Sequence, residues 1–485
     1  MKKIFCFCFL LLGAIFALYG CGDNPQAELN EFDIKYFYDA NAKTLDGEMI
    51  ATVQNHSDTE LDNICFHLYP NAFREGSSES VVSLANYNRA YYNGKSYGKV
   101  TIEAVKGFDF EIVGADENIL KVKLSAPIAP YEGVSIPIEF SVTLPEVNHR
   151  FGIGENTINF GNCYPMLCVR QNGEFDMRGY HSNGDPFYSE VANFNAEIAF
   201  PSTFKMASTG KVVSSEQEDG YSFVKVSAHN VRDFMFVLGE DFKVIKANVG
   251  QTEISYYYYS DQSPEKSLET SVKAVETFNE IFGEYPYETL SVVEASFVHG
   301  GMEFPNLVLI SDDLPNYETY TTVIIHEIAH QWWYGVVGND QFSYGWLDEG
   351  LAEYSVALFF EENPDYGIGK DSLVMKNQSN YKVFERLYSS VSPTFSSAFN
   401  RQLDAYASEQ EYVYTAYVKA FLMHDSLCEL LGQRKYLKCL QGYYKAFAFK
   451  LATPEGMIEC FEKASGKNLE GFFDSWISGR VVLGG

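Results

Sequence analysis

Between residues 31 and 248 apolar and polar side chains alternate. Leu120-Lys121-Val122-Lys123-Leu124 does so strictly, the stretches from Val134 to Leu144 and from Tyr221 to Val226 follow the same period, and the turn-forming Pro130-Tyr131-Glu132-Gly133 separates two of these runs. A period of two places successive side chains on opposite faces of a sheet. Helical spacing is nearly absent here, which predicts an all-β domain of saddle or sandwich type, and Tyr256-Tyr257-Tyr258-Tyr259 reads as carrying that sheet across the junction. From Pro264 the period lengthens: Leu268, Val272, Val275, Phe278 and Ile281-Phe282 share one face of a helix opened by Ser263 as cap and Pro264 at the first position. Further helices are predicted over 321–333, 348–361, 414–431 and 454–463. The expected fold is α+β and multidomain, with an N-terminal all-β domain over 31–248 followed by a mostly helical domain over 249–485.

The first thirty residues follow neither pattern. Met1-Lys2-Lys3 precedes an apolar run from Ile4 to Leu18 and then Tyr19-Gly20-Cys21, the charged, apolar and small-residue order of a secretion signal over 1–20. Leu18-Tyr19-Gly20-Cys21 also resembles a bacterial lipoprotein processing site, which implies a lipid anchor at Cys21, a polar tether over 21–30 and an exported body held at the outer side of the cell membrane. A spanning helix needs about 20 apolar residues, so a single-span anchor is the weaker reading. Cys65, Cys163, Cys168, Cys428, Cys439 and Cys460 form no C-x-x-C pair or dense framework and read as buried thiols in preference to bridges. The chain carries 36 Lys and Arg against 65 Asp and Glu, a net charge of −29, with no basic cluster, which excludes nucleic acid as a partner. Its 46% hydrophobic content excludes a disordered chain.

His326-Glu327-Ile328-Ala329-His330 lies in a stretch free of Pro and Gly. Residues four apart on a helix lie within about 40° of one another, so both imidazoles can reach one cation, while Glu327 projects about 100° round from His326 and can address a water on it. With nine His in the chain, roughly 0.01 such matches are expected by chance. A catalytic zinc site takes three protein side chains and leaves the fourth position to water. Glu349, in Trp346-Leu347-Asp348-Glu349-Gly350-Leu351-Ala352-Glu353, can supply the third from an antiparallel helix. Asp348 and Glu353 compete locally. Asp348 points about 100° away, whereas Glu353 shares the Glu349 face and could support the metal ligands, and for both a solvated carboxylate is the simpler expectation.

H-E-x-x-H followed by W-L-x-E-G-x-A resembles the gluzincin metallopeptidases, and specifically the aminopeptidase N family. His299-Gly300-Gly301-Met302-Glu303-Phe304 sits where that family carries G-A-M-E-N, and Tyr417-Val418-Lys419-Ala420 is similar to its Y-x-K-G stretch. Phe472-Phe473-Asp474-Ser475-Trp476-Ile477 looks like the end of its catalytic domain, while Phe66-His67-Leu68-Tyr69-Pro70-Asn71 and Gly161-Asn162-Cys163-Tyr164-Pro165 resemble its bacterial secreted members. The resemblance implies a saddle-shaped β domain before a thermolysin-like catalytic domain, and one zinc ion (Zn2+) on His326, His330 and Glu349. It further implies Glu327 as general base and Glu303 binding the free N-terminus of peptide substrates. Gly300, Gly301 and Met302 would pair with the substrate backbone, Tyr417 would donate to the oxyanion, and Asn162 would stand for the β-domain residue beside the amine. Phe304 replaces the family's Asn and Ala420 its Gly, and His299 is expected either to line the cleft or to pack. With the chain running to Gly485, the helical C-terminal domain of long members is expected to be missing and the cleft more open. The expected activity is that of a zinc aminopeptidase. An endopeptidase on the same centre and a catalytically silent peptide-binding protein are the rivals.

Overall fold

The computed structural model describes residues 28–481 and Leu483, apart from Glu79, Pro393 and Thr394. The expected leader, Cys21 and nearly all of the tether lie outside the described residues. The first half is β apart from short helical turns at Tyr69–Phe73 and Tyr87–Ala90. Seven strands form its main sheet in the spatial order Lys211–Glu218, Tyr221–Val231, Ala192–Pro201, Asn30–Asp39, Thr44–Gln54, Gly133–Thr143 and Lys99–Val105. Asn30–Asp39 sits at the centre, parallel to Ala192–Pro201 and antiparallel to Thr44–Gln54. Its alternation has a direct cause: Phe32, Ile34, Tyr36 and Tyr38 are buried on one face while the residues between them meet solvent. That inner face packs on a second layer, where Tyr36 meets Phe236 at 5.5 Å between ring centroids and Phe160 stacks on Phe236 at 4.2 Å. A sheet backed by a second sheet is the sandwich that the period of two requires.

The second sheet system begins earlier than periodicity indicated. Lys243–Val249 pairs antiparallel with Thr252–Tyr258, which runs parallel to Thr289–Ala295 and, beyond it, Leu307–Ser311. The short strand Gly301–Met302 forms the edge. The turn at Gly250, with φ of 58°, ties Lys243–Val249 to the following strand, so the change of sheet falls before Lys243 and not at 248, and the tyrosine run does not continue the first sheet.

Helices cover this five-stranded sheet: α1 (Pro264–Ile281), α2 (Tyr317–Ala329), α3 (Trp346–Glu362), α4 (Lys370–Val391), α5 (Ala420–Leu431), α6 (Gln433–Phe447), α7 (Pro454–Ser465) and α8 (Glu470–Ile477). A π-helical turn over Val413–Lys419 leads into α5. Helices α4, α6 and α8 were not among the predicted ones; α4 buries only Tyr381 and Phe384, too short a stripe to register as a face. In α3 the opposite holds: it is buried nearly all round, which places it in the middle of the domain. Among the described residues no helix is long and apolar enough to cross a membrane. Cys65, Cys163, Cys168, Cys428, Cys439 and Cys460 are free thiols, and only Cys460 is not buried.

Candidate metal centre and cleft

Helix α2 is fixed at both ends. Asn316 caps it, its Oδ1 accepting from Thr319 N at 2.9 Å, while Ile324, Ile325, Ile328 and Ala329 are fully buried against the sheet. It starts and ends four residues earlier than the 321–333 expected, stopping at Ala329 because the chain turns tightly after His330: Gly335 N bonds His330 O at 2.9 Å. That turn brings Trp333 O to 2.9 Å from His330 Nδ1. A carbonyl can only accept, so Nδ1 carries the proton and Nε2 keeps its lone pair.

The lone pair has company. His330 Nε2 lies 3.1 Å from His326 Nε2 and 3.2 Å from Glu349 Oε2, and His326 Nε2 lies 3.3 Å from the same oxygen. Three donors on a tetrahedral ion at about 2.0–2.2 Å stand about 3.3–3.6 Å apart, so this triangle fits a small divalent cation and leaves an apex open. Two imidazoles and a carboxylate are also the donor types zinc takes.

The neighbouring carboxylates differ from one another. Glu353, one turn beyond Glu349, is part-exposed and places Oε1 3.4 Å from His326 Nδ1, an ion-pair distance without a hydrogen bond. Asp348 is buried, accepting from Gln341 Nε2 at 2.7 Å and Asn339 Nδ2 at 3.1 Å, so it is not the solvated carboxylate expected. Burial, and Glu349 beside it, push the Asp348 carboxyl up to about 7.

A cleft of about 290 Å³ opens over these groups, lined among others by Asp185, His299, Gly300, Gly301, Glu303, Glu327 and Tyr417. Glu327 is buried against Gly301, where a Cβ would overlap its carboxylate, and its Oε2 has no hydrogen-bond partner among the described residues. Burial pushes its carboxyl well upward. Gly300, with φ of 89°, accepts from Ser311 N through its carbonyl, and Gly301–Met302 pairs with Leu307–Ser311 on one side only. The Met302 side chain turns into the core and not into the cleft. Tyr417, on the π-helical turn, donates its hydroxyl to Glu349 Oε1 at 2.6 Å. His299 lines the cleft, its Nδ1 3.3 Å from Glu409 Oε1.

Glu303 is 3% exposed and accepts from Gln341 Nε2 at 2.8 Å. Burial and then Asp185 push its carboxyl up to about 8. Asp185 comes from the β domain, ion-paired with buried Arg150, and one carboxylate oxygen from each of Asp185, Glu303 and Glu349 lies within 4.8 Å of the others. The sequence reading missed Asp185, Arg150 and Gln341, since none sits in a motif. Asn162, expected beside the amine, is instead buried at the domain seam, 3.4 Å from Asp233 Oδ2. It is not among the residues that line the cleft. Phe304 is fully buried, and Gly161 of the β domain leaves room for its ring.

Residues 266–476 match the family model described as Peptidase family M1 domain. Aminopeptidase N of Haemonchus contortus is 22% identical over 335 residues, 64% of this chain and 34% of that protein. Aminopeptidase M1-A of Oryza sativa subsp. japonica is 24% identical over 240 residues, covering 43% of this chain and 25% of its own length. The chain thus spans about a third or less of these relatives. Among solved structures, an M1 zinc metallopeptidase from Deinococcus radiodurans superimposes with a TM-score of 0.68 over 94% of this chain and 95% of its own, at 17% identity. At that identity the likeness speaks for the shared two-part fold, β-rich and then helical. Residues 266–476 of this chain are thus similar to a Peptidase family M1 domain.

Proposed function

We propose that the chain is a zinc-dependent aminopeptidase, removing N-terminal residues from peptides. One observation carries this reading: two sets of donors, different in chemistry, meet at Glu349. The first, His326, His330 and Glu349, would hold the zinc, which would supply a water with its pKa lowered toward about 7 and polarise a carbonyl. Glu327, with an unpartnered carboxylate oxygen, would serve as the base for that water and then as the acid for the leaving amine. The second set, Asp185, Glu303 and Glu349, is all carboxylate and suits an ammonium, whose three N–H donors each call for an acceptor. An internal peptide bond offers no such cation, so the carboxylate set selects chain ends. The unpaired edge of Gly301–Met302 receives the substrate backbone as an added strand, and Tyr417 donates to the carbonyl oxygen as it gains charge.

Metal analysis joined to an aminoacyl-reporter panel tests this. One zinc per chain is expected, with hydrolysis of free-amine reporters that chelator abolishes and zinc restores, and with N-acetylated reporters inert. Equal cleavage of acetylated peptides would make the enzyme an endopeptidase, and bound zinc with no hydrolysis of any reporter would overturn the reading.

The apolar run from Ile4 to Leu18 and Cys21 after it support export and lipid anchoring as a second part of the proposal. Expressed in a bacterium with labelled fatty acid, the full chain should carry label in the membrane fraction, and Cys21→Ala should lose it.

A further inference from the structure

We infer that Gln341 positions Glu303 for the substrate ammonium and so sets how sharply the cleft separates a free N-terminus from a blocked one. The inference rests on the reading of Glu303 given above. Gln341 is 1% exposed, and its Nε2 spends both protons on carboxylates: Glu303 Oε1 at 2.8 Å and Asp348 Oδ2 at 2.7 Å. It is thereby the link between the acid facing the cleft and the helix that carries Glu349. Two buried carboxylates would otherwise repel, and one of Glu303's oxygens is engaged so that the other is left to face the cleft.

Two observations set this amide apart from ordinary packing. Its Oε1 is buried with no hydrogen-bond partner among the described residues, an arrangement that favours the two carboxylates at the expense of the amide itself. The turn that carries it, Gln341–Tyr344, is also held from outside the domain. Asp340 caps it, accepting from Ser343 N at 3.1 Å, and Arg178 of the β domain bonds Asp340 at 2.8 Å while its guanidinium lies 4.7 Å from the Phe342 ring. Asp185 reaches the same cleft from the same domain, so two of the three acids of the amine corner are set by the β half, Asp185 directly and Glu303 through Gln341.

Gln341→Met keeps the length and removes the donors; Gln341→Glu keeps the length and replaces donors by acceptors. The readouts are zinc content, thermal unfolding, kcat and KM on a free-amine aminoacyl reporter, and inhibition by leucine amide against N-acetyl-leucine amide. Both variants should keep one zinc, raise KM about tenfold with kcat within about threefold, and lower the preference for the free amide about tenfold. Should Gln341→Met unfold, Gln341→Asn, one methylene too short to span both acids, carries the same expectation. A preference for the free amide unchanged in any folded variant, or a loss confined to kcat, overturns the inference. Wild-type protein inert toward every free-amine reporter would instead indict the proposed function.

Discussion

The two corners of the cleft share Glu349 and little else. At the metal corner the donors stand 3.1–3.3 Å apart, two of them imidazole nitrogens, and all three come from α2 and α3 or the turn between them. At the amine corner all three donors are carboxylate oxygens, drawn from the β domain, the residue after an edge strand and α3. Donor type decides which cation each suits: imidazole nitrogens with one carboxylate suit an ion that strips its water, whereas three carboxylates suit a cation that brings its own protons. On the proposed reading the difference also separates chemistry from selection, since one corner would activate water and the other recognise an end.

That division can be broken experimentally. The largest effect is expected at the base: Glu327→Gln should keep its zinc by metal analysis and lose about a thousandfold in kcat, and a milder loss would mean that another group takes the proton. At the amine corner, Asp185→Asn should raise KM for free-amine reporters by about tenfold or more while kcat holds. Arg150 loses its counter-charge in that variant, so the unfolding temperature should fall as well; equal losses on blocked and free substrates would erase the distinction between corners. Glu353→Gln should weaken zinc binding about tenfold in a competition titration, because the ring of His326 loses the carboxylate behind Nδ1.

The smallest effect on turnover is expected at the seam both corners hang on. Asp233 of the β half is fully buried, accepts from Tyr334 Oη at 3.0 Å, and is pushed by burial from 3.8 up to about 6. The folded protein therefore holds that proton more tightly than the unfolded chain. Its stabilising contribution is complete below pH 3.8 and is lost as pH rises through about 6, a change of about 3 kcal/mol. Asp233→Asn should flatten urea unfolding midpoints between pH 4 and pH 7 while kcat stays near wild type. A slope that persists would place the titration elsewhere.

The same contrast explains what could be read from the chain. The metal corner is local: His326 and His330 sit one helical turn apart, Glu349 follows after one short excursion, and helix geometry alone brings them together. The amine corner is tertiary. Asp185 sits in an irregular stretch between strands, Arg150 precedes a three-residue strand, and Gln341 belongs to a single turn, so no period or spacing marks them. The β domain was legible where one face is wet, as in Asn30–Asp39, and its boundary slipped where a hairpin had been assigned to the wrong sheet. Asp348 and Glu353 show the remaining limit: a carboxylate on a helix reads as solvated until a partner arrives from another segment, here Gln341 for one and His326 for the other.

Gly301 carries one more consequence. An added Cβ there would meet the far end of the Glu327 side chain, so Gly301→Ala, the residue the aligned family motif carries at this place, would require that carboxylate to swing aside.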